Sequence, residues 1–241
     1  MNLSSRDLAL TGIFASLYAV LSAIPLFPVI GAVGKSFTVA VIIAPLVGLI
    51  IGPHRGALAT SIGGFIAWSI TQFGPLLQFS FVPGTATALC SGYLYKGRWK
   101  TFVLIYSVLF LALAFYPTIG PMWLYPPYVW FQLVGLIVLT SQAKLKTIEA
   151  LNKKNRMQTL GFGVGVISFV ATLFGHIVGG LIYNAIYFPT FYPNVDYWRS
   201  LWQILVFVYP LERTIVVFIS ILIGAALIKA LKAHGFEIGG K

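Results

Sequence analysis

Long apolar runs follow one another along almost the whole chain, and short basic or proline- and glycine-rich segments separate them. Only 9% of the residues are charged, whereas a soluble domain carries about 25%. The runs show no regular two-residue alternation, so they predict membrane-crossing helices rather than a barrel. We therefore predict an all-α, polytopic helical bundle that forms a single transmembrane domain over residues 1–241.

The order of the apolar runs predicts eight membrane-crossing helices. They cover residues 8–25, 37–51, 56–71, 76–95, 101–119, 128–143, 160–188 and 210–231. The second and third runs are short for a hydrocarbon core of about 30 Å. We expect this pair to thin the bilayer, to be buried in protein, or to form a hairpin around residues 52–56.

Three segments between the runs are predicted to be irregular. A proline-rich turn is expected at residues 120–127, a basic loop at 144–156 and an aromatic loop at 189–209. The aromatic loop has two interpretations. It forms either a lid over an outward-facing pocket or part of the aromatic belt found at membrane interfaces.

The distribution of positive charge predicts the orientation of the chain. With the N-terminus inside, thirteen of the sixteen basic residues fall on the inner side, and Lys35 and Arg199 fall on the outer side. This asymmetry follows the positive-inside rule and places both termini in the cytoplasm of a multi-pass cell-membrane protein. The basic residues lie between apolar runs, so the net charge of +11 does not indicate nucleic-acid binding.

The sequence lacks the motifs of the common catalytic classes. It contains no HExxH, no CxxC and no GxxxxGK[ST] motif, and its five acidic residues and three histidines are scattered. We therefore expect no enzyme activity, no metal or cofactor, and no ATP hydrolysis by this chain. An ion-coupled pump would need more ionisable groups within its apolar runs.

Glu212 and Arg213 stand side by side in the apolar stretch 207–218. Charges near the bilayer are costly and mark candidate functional sites. Pro210 predicts that the last helix begins there, which would place the pair at the outer rim of the bundle. The alternative is an acidic residue favoured by the helix dipole beside an arginine that reaches towards the headgroups.

A second group of polar residues lies in the stretch 174–184. His176, Tyr183 and Asn184 are spaced so that they can hydrogen-bond a solute in a dry cavity. The alternative is that they make hydrogen bonds between neighbouring helices. The aromatic loop adds Trp198 and Arg199, which would complete the site if that loop is a lid.

Small residues recur every four positions in the first run, at Ala15, Ala19 and Ala23. This spacing puts them on one helical stripe, where another helix can approach closely. The stripe is either a docking face for a partner protein or a packing face inside this chain.

The alanine stripe is followed by three recognisable stretches. They are PLVGLIIGPHRGALATSIGG (45–64), FVPGTATALCSGYLY (81–95) and YPLERTIVVFISILIGAALIKAL (209–231). In this order the features resemble the substrate-binding S components of energy-coupling factor (ECF) vitamin transporters. That family usually has six helices, so the resemblance implies an additional pair within residues 101–160.

The resemblance implies a passive binding subunit that captures a small, vitamin-like or planar solute at the outer face. The alanine stripe would dock on a transmembrane coupling protein, which cytoplasmic ATPases drive. We expect Arg213 to pair with an anionic group of the solute, Glu212 to accept from a donor group, and aromatic rings to stack on a planar ring. The predicted contact residues are Glu212, Arg213, His176, Asn184, Tyr183, Trp198 and Arg199.

Two other functions fit the same sequence. The chain can be a stand-alone secondary transporter or channel for a small organic solute, or a membrane scaffold protein that transports nothing. A ligand that binds only the folded state raises the melting temperature, so a thermal-shift assay separates a binding subunit from a scaffold. Uptake into vesicles that hold this chain alone would favour the secondary transporter.

Overall fold

A computed structural model describes six ranges of the chain. These are residues 4–30, 36–71, 79–116, 129–152, 156–187 and 194–240. The predicted proline-rich turn at 120–127 lies outside them. The described ranges are predominantly helical, in agreement with the predicted all-α class, and they also contain a small β-hairpin that was not predicted.

Nine α-helices are present in these ranges. They are α1 (Ser5–Ser22), α2 (Ala40–Ile51), α3 (Pro53–Thr71), α4 (Val82–Tyr95), α5 (Trp99–Ala114), α6 (Trp130–Thr140), α7 (Ala143–Asn152), α8 (Met157–Ile182) and α9 (Val195–Ala233). Strands β1 (Pro25–Pro28) and β2 (Ser36–Thr38) pair antiparallel, with Phe27 opposite Phe37. A π-helical segment, Tyr183–Tyr187, continues α8.

Helix α2 is the most deeply buried helix, and it explains why the second apolar run is short. Every residue of α2 except Val41 is buried. The helix packs against α3, α4 and α9, and the Ser220 hydroxyl on α9 donates to the Ile42 carbonyl oxygen at 2.7 Å. Of the three possibilities for this short pair, the structure therefore shows burial in protein for α2.

Glycines bring the backbones of α2, α3 and α4 into direct contact. A Cβ atom on Gly48 would overlap the Ala88 carbonyl oxygen, and one on Gly56 would lie 2.6 Å from the Gly48 Cα. A Cβ atom on Gly92 would lie 2.5 Å from the Pro53 nitrogen. The three helices can approach this closely only because side chains are absent at these points.

Both described ends of the chain lie at one end of the bundle, which we call the terminal end (Arg6, Asp7, Arg55, Phe236 and Gly239). Arg55 forms an ion pair with Asp7 at 2.6 Å. The Arg6 guanidinium lies 5.2 Å from the centre of the Phe236 ring. The Gly239 N–H donates to the Ile50 carbonyl oxygen at 2.9 Å, beside the turn between α2 and α3.

The predicted start of the last helix at Pro210 is wrong, because α9 begins at Val195. Proline removes a backbone N–H and leaves the carbonyl four residues earlier without its helical partner. Here that carbonyl belongs to Val206, and the Trp130 indole N–H on α6 donates to it at 3.0 Å. The proline is therefore accommodated inside α9.

Two predicted loops are also wrong in part. The predicted aromatic loop 189–209 is helical from Val195, where the Asn194 side chain caps α9 by accepting from the Asp196 N–H. The predicted basic loop 144–156 contains α7, which buries Thr147 and Leu151 while Lys146 is exposed. This one-sided burial is typical of an amphipathic helix, so a basic composition did not exclude helical structure.

The surface of the helical bundle carries many exposed apolar side chains. Ile13 on α1, Ile70 on α3, Leu104 on α5 and Phe207 on α9 are each more than 60% exposed. Within the described residues, two helices are long and apolar enough to cross a bilayer by themselves, Met157–Ile186 and Gln203–Ala233. An apolar surface of this extent is typical of a protein surrounded by lipid.

Candidate functional site

A cavity of about 260 Å³ lies at the end of the bundle opposite the terminal end. The C-terminal parts of α1, α3 and α8, the N-terminal parts of α2 and α4, the middle of α9 and the β-hairpin all contribute to its wall. Most of the wall is apolar, and a few polar side chains interrupt it. This combination is typical of small-molecule sites in proteins.

Glycines on α8 shape one side of the cavity. A Cβ atom on Gly175 would lie 2.7 Å from the Pro83 carbonyl oxygen, and one on Gly179 would lie 3.1 Å from the Pro83 ring. These glycines let α8 pack closely against the start of α4. Tyr18 on α1 is buried opposite them, with its hydroxyl against Gly84.

Arg213 contributes a positive charge to the cavity wall. Its side chain is only 4% exposed, and its Cζ atom lies 4.2 Å from the centre of the Phe37 ring and 5.8 Å from that of Tyr209. A guanidinium at these distances is stabilised by cation–π attraction. The β-hairpin is therefore part of the site, because β2 supplies Phe37.

Glu212 lies beside Arg213 but is not among the described residues that line the cavity. Its Oε2 atom is 3.8 Å from the Arg213 Nη2 atom, and both side chains are buried. The pair lies about 25 Å along α9 from the start of that helix at Val195. This position excludes the alternative of an acid at a helix N-terminus beside an arginine that reaches the headgroups.

His176 lines the cavity and contacts two other helices. Its Nδ1 atom is 3.2 Å from the side-chain nitrogen of Gln132 on α6. Its ring meets the Tyr209 ring edge-on, with the centroids 4.9 Å apart. These contacts join α6, α8 and α9 behind one wall of the cavity.

Asn184 and Thr172 line the cavity, and each has a buried side-chain polar atom without a described hydrogen-bond partner. The two residues are 2% and 5% exposed and both line the cavity. The Asn184 Nδ2 and Thr172 Oγ1 atoms have no hydrogen-bond partner among the described residues. A buried polar group without a partner costs about 1–3 kcal/mol. A bound solute with matching polar atoms would remove this cost.

The structure brings together four of the seven predicted contact residues, namely Arg213, His176, Tyr183 and Asn184, around the cavity. Glu212 is adjacent to one of them. The side chains of Trp198 and Arg199 lie outside the described part of the chain, although their backbone belongs to α9. Solute contact by all seven residues stays a prediction.

Sequence reasoning missed several residues of the site. Thr172 precedes His176 by one helical turn and lies on the same face of α8, just outside the stretch 174–184 that contained the predicted residues. Phe37, Tyr209 and Gln132 reach the site from other elements. Tyr209 precedes Arg213 by one turn of α9 and shares its face, whereas no spacing within a single helix indicates Phe37 or Gln132.

The alanine stripe of α1 is divided between the inside and the outside of the bundle. Ala15 is buried, and a Cβ atom on Gly63 of α3 would lie 3.0 Å from the Ala19 nitrogen. Ala23 is exposed. Part of the stripe therefore packs within this chain, and docking of a partner on it stays a prediction.

A comparison with protein families identifies the chain at the family level. The profile of the S component of ECF-type riboflavin transporters matches residues 2–148, which is more than half of the sequence. The chain belongs to this family. The predicted resemblance to ECF S components is thus confirmed, and this S component is a membrane protein of a transporter family rather than of an enzyme family.

The family match covers only part of the cavity wall. It includes α1 to α6 and the β-hairpin, and therefore the cavity residues Tyr18 and Phe37, together with Gln132 behind the wall. His176, Asn184 and the other cavity residues of α8 and α9 follow the matched segment. No curated protein and no solved structure matches this S component.

Proposed function

We propose that this S component captures riboflavin, or a closely related flat heteroaromatic solute, in the cavity and delivers it to an ECF partner complex. The chain belongs to a family of riboflavin-transporter S components, and this membership supports a substrate-binding role. The observation that supports the proposal is the cavity itself, which combines apolar walls with Asn184 and Thr172, whose buried polar atoms have no hydrogen-bond partner among the described residues. Energy would come from ATPases in the partner complex, because this chain has no phosphate-binding loop.

The cavity wall suits a flat ring with polar edges. Aromatic residues are numerous among the described residues that line it: Tyr18, Phe37, Trp68, Phe79, Phe81, Tyr183 and Tyr209. Rings of this kind prefer offset-stacked or edge-on contact with a planar ligand. Asn184, Thr172 and Arg213 would then fix its orientation through polar contacts, with the positive charge of Arg213 favouring a carbonyl or anionic oxygen.

We further propose that the terminal end faces the cytoplasm and the cavity faces the outside. Arg6 and Arg55 lie at the terminal end, so this orientation satisfies the positive-inside rule. Eight helices, α1 to α6 together with α8 and α9, would then cross the membrane, and α7 would lie on the cytoplasmic side. Both termini would be cytoplasmic.

A titration of the purified protein with riboflavin tests the solute directly. We expect saturable one-to-one binding, seen as quenching of the intrinsic fluorescence of riboflavin, and a higher melting temperature at saturation. Uptake into vesicles should require the coupling protein, the ATPases and ATP. If riboflavin and other flavins change neither signal, the assigned solute is wrong. Uptake by this chain alone would favour a secondary transporter.

The substitution Thr172→Val is expected to change stability and affinity in opposite directions. It replaces a buried hydroxyl without a described partner by a methyl group of the same shape. We expect the empty protein to gain about 1 kcal/mol of stability and the affinity for riboflavin to fall by about fivefold. Thermal unfolding without solute and fluorescence titration measure the two effects.

Thr147→Val is the matched control for this prediction. Thr147 on α7 is also buried, and its hydroxyl also has no described partner, but it is not among the described residues that line the cavity. The control should raise stability and leave riboflavin affinity unchanged. Equal affinity changes in the two variants would show that Thr172 does not act through the cavity.

We propose that the exposed side of α1, which points away from the bundle, docks on the coupling protein, as the family resemblance implies for the alanine stripe. Ala23→Trp places a bulky ring on the exposed part of that stripe. We expect ATP-driven uptake with partners to fall by about tenfold or more, while riboflavin affinity stays unchanged. Reconstituted uptake and titration measure these two properties.

Val108→Trp is the control for a bulky ring on a different surface. Val108 is exposed on α5, and this variant should retain uptake. Ala15→Trp should instead lower the stability of the isolated protein, because Ala15 is buried within the bundle. Full uptake by the Ala23→Trp variant would rule out docking at that part of α1.

A further inference from the structure

Gln132 lies behind the cavity wall and reaches the site only through another residue. It belongs to α6, it is 2% exposed, and it is not among the described lining residues of the cavity. Its side-chain nitrogen is 3.2 Å from the Nδ1 atom of His176, which does line the cavity. Gln132 can therefore affect a solute in the cavity only through His176.

The backbone around Gln132 is tightly held. The Tyr106 hydroxyl on α5 donates to the Gln132 carbonyl oxygen at 2.8 Å. One turn further along α6, a Cβ atom on Gly135 would lie 2.5 Å from the same hydroxyl and 2.8 Å from Leu173 on α8. Helices α5, α6 and α8 therefore meet at this point, and Gln132 has little freedom to move.

This contact has a chemical consequence for His176. A neutral histidine donates from one ring nitrogen and accepts at the other. When the amide NH₂ of Gln132 donates to Nδ1, the ring proton must reside on Nε2. The edge-on contact with Tyr209 also fixes the plane of the ring. The opposite orientation of the amide would place the proton on Nδ1 instead.

We propose that Gln132 is a positioning residue that holds His176 in one ring orientation and in the tautomer with the proton on Nε2. In that tautomer the ring of this cavity residue is neutral and its single N–H is on Nε2. This inference rests on the proposed function, since it assigns part of the specificity of the same cavity. It gives α6, a helix outside the cavity wall, a part in solute recognition.

Histidine ring ¹⁵N spectra of the full-length protein without solute test the tautomer. The chain has three histidines, so the His176→Ala spectrum identifies the signals of His176. We expect a protonated Nε2 and an unprotonated Nδ1 in the unsubstituted protein. Gln132→Leu should give a mixture of tautomers, and Gln132→Glu should place a proton on Nδ1. An unchanged His176 spectrum in Gln132→Leu would overturn the proposal.

Affinity for riboflavin provides the second arm of the test. Gln132→Leu should weaken binding by about fivefold to tenfold, the loss expected for one hydrogen bond. In a His176→Ala background, the same substitution should have no further effect, because Gln132 acts through His176. Additive losses in the double variant would contradict the proposal.

Ser168→Ala is the matched control for Gln132→Leu. Ser168 is a fully buried polar residue of α8 that does not line the cavity, and its hydroxyl has no partner in the described ranges. This variant should change neither the His176 spectrum nor the affinity. If the unsubstituted protein binds no riboflavin, the proposed function fails, and the spectra still decide the role of Gln132.

Discussion

Arg213→Ala is expected to weaken riboflavin binding by more than about tenfold and to destabilise the protein by about 3–5 kcal/mol. The affinity falls because the substitution removes the positive charge from the cavity wall, between Phe37 and Tyr209. The stability falls because Glu212, which is 5% exposed, loses the cation 3.8 Å away. Fluorescence titration and thermal unfolding measure the two losses.

A double variant separates the two effects of this substitution. Glu212→Gln combined with Arg213→Ala removes the unpaired buried charge, so most of the lost stability should return. The affinity should stay low, because the cavity still lacks its cation. Unchanged riboflavin affinity in the single variant would remove Arg213 from the site, whatever its effect on stability.

Gly48→Ala is expected to have the largest effect on the fold, a loss of more than about 3 kcal/mol. The new methyl group would overlap the Ala88 carbonyl oxygen and crowd the Ser91 hydroxyl. The obstacle is mainly backbone rather than a flexible side chain, so α2 and α4 would have to separate. The melting temperature and the yield of folded protein after detergent extraction measure the loss.

Gly12→Ala is the matched control on another helix. A Cβ atom at Gly12 meets nothing within 4 Å among the described residues. In a helix, this change should be neutral or should stabilise the protein by about 0.5–1 kcal/mol. Equal melting temperatures for the two variants would show that the close approach of α2 to α4 is not needed for folding.

The helical class was predictable because hydropathy acts locally, while the helix boundaries depend on distant contacts. Pro210 is a reasonable helix start when only its neighbours are considered. It lies inside α9 because Trp130, far away in the sequence, donates to the Val206 carbonyl oxygen. No local sequence pattern predicts that hydrogen bond. The hairpin was missed for a different reason, since prolines form both ends of its first strand, Pro25–Pro28, and proline argues against a strand.

The candidate site was predictable where one helix supplies several residues. His176, Tyr183 and Asn184 follow the helical repeat, and the structure places all three at the cavity. Arg213 was predicted as an unusual charge in an apolar run. Phe37 and Gln132 could not be found this way, because an aromatic residue and an amide are ordinary in such segments. Their positions follow from the packing of the hairpin and α6.

The contact between the tail and the turn after α2 has a practical consequence for producing the protein. Gly239 and Gly240 both have positive φ, and a side chain at Gly239 would collide with Tyr95. A Cβ atom on Gly52 would in turn lie 2.5 Å from the Gly239 carbonyl oxygen. A purification tag or fluorescent fusion attached close to Gly240 would start next to this contact. Such an attachment needs a flexible spacer. A label placed there would report on whether the tail stays in contact with the turn after α2.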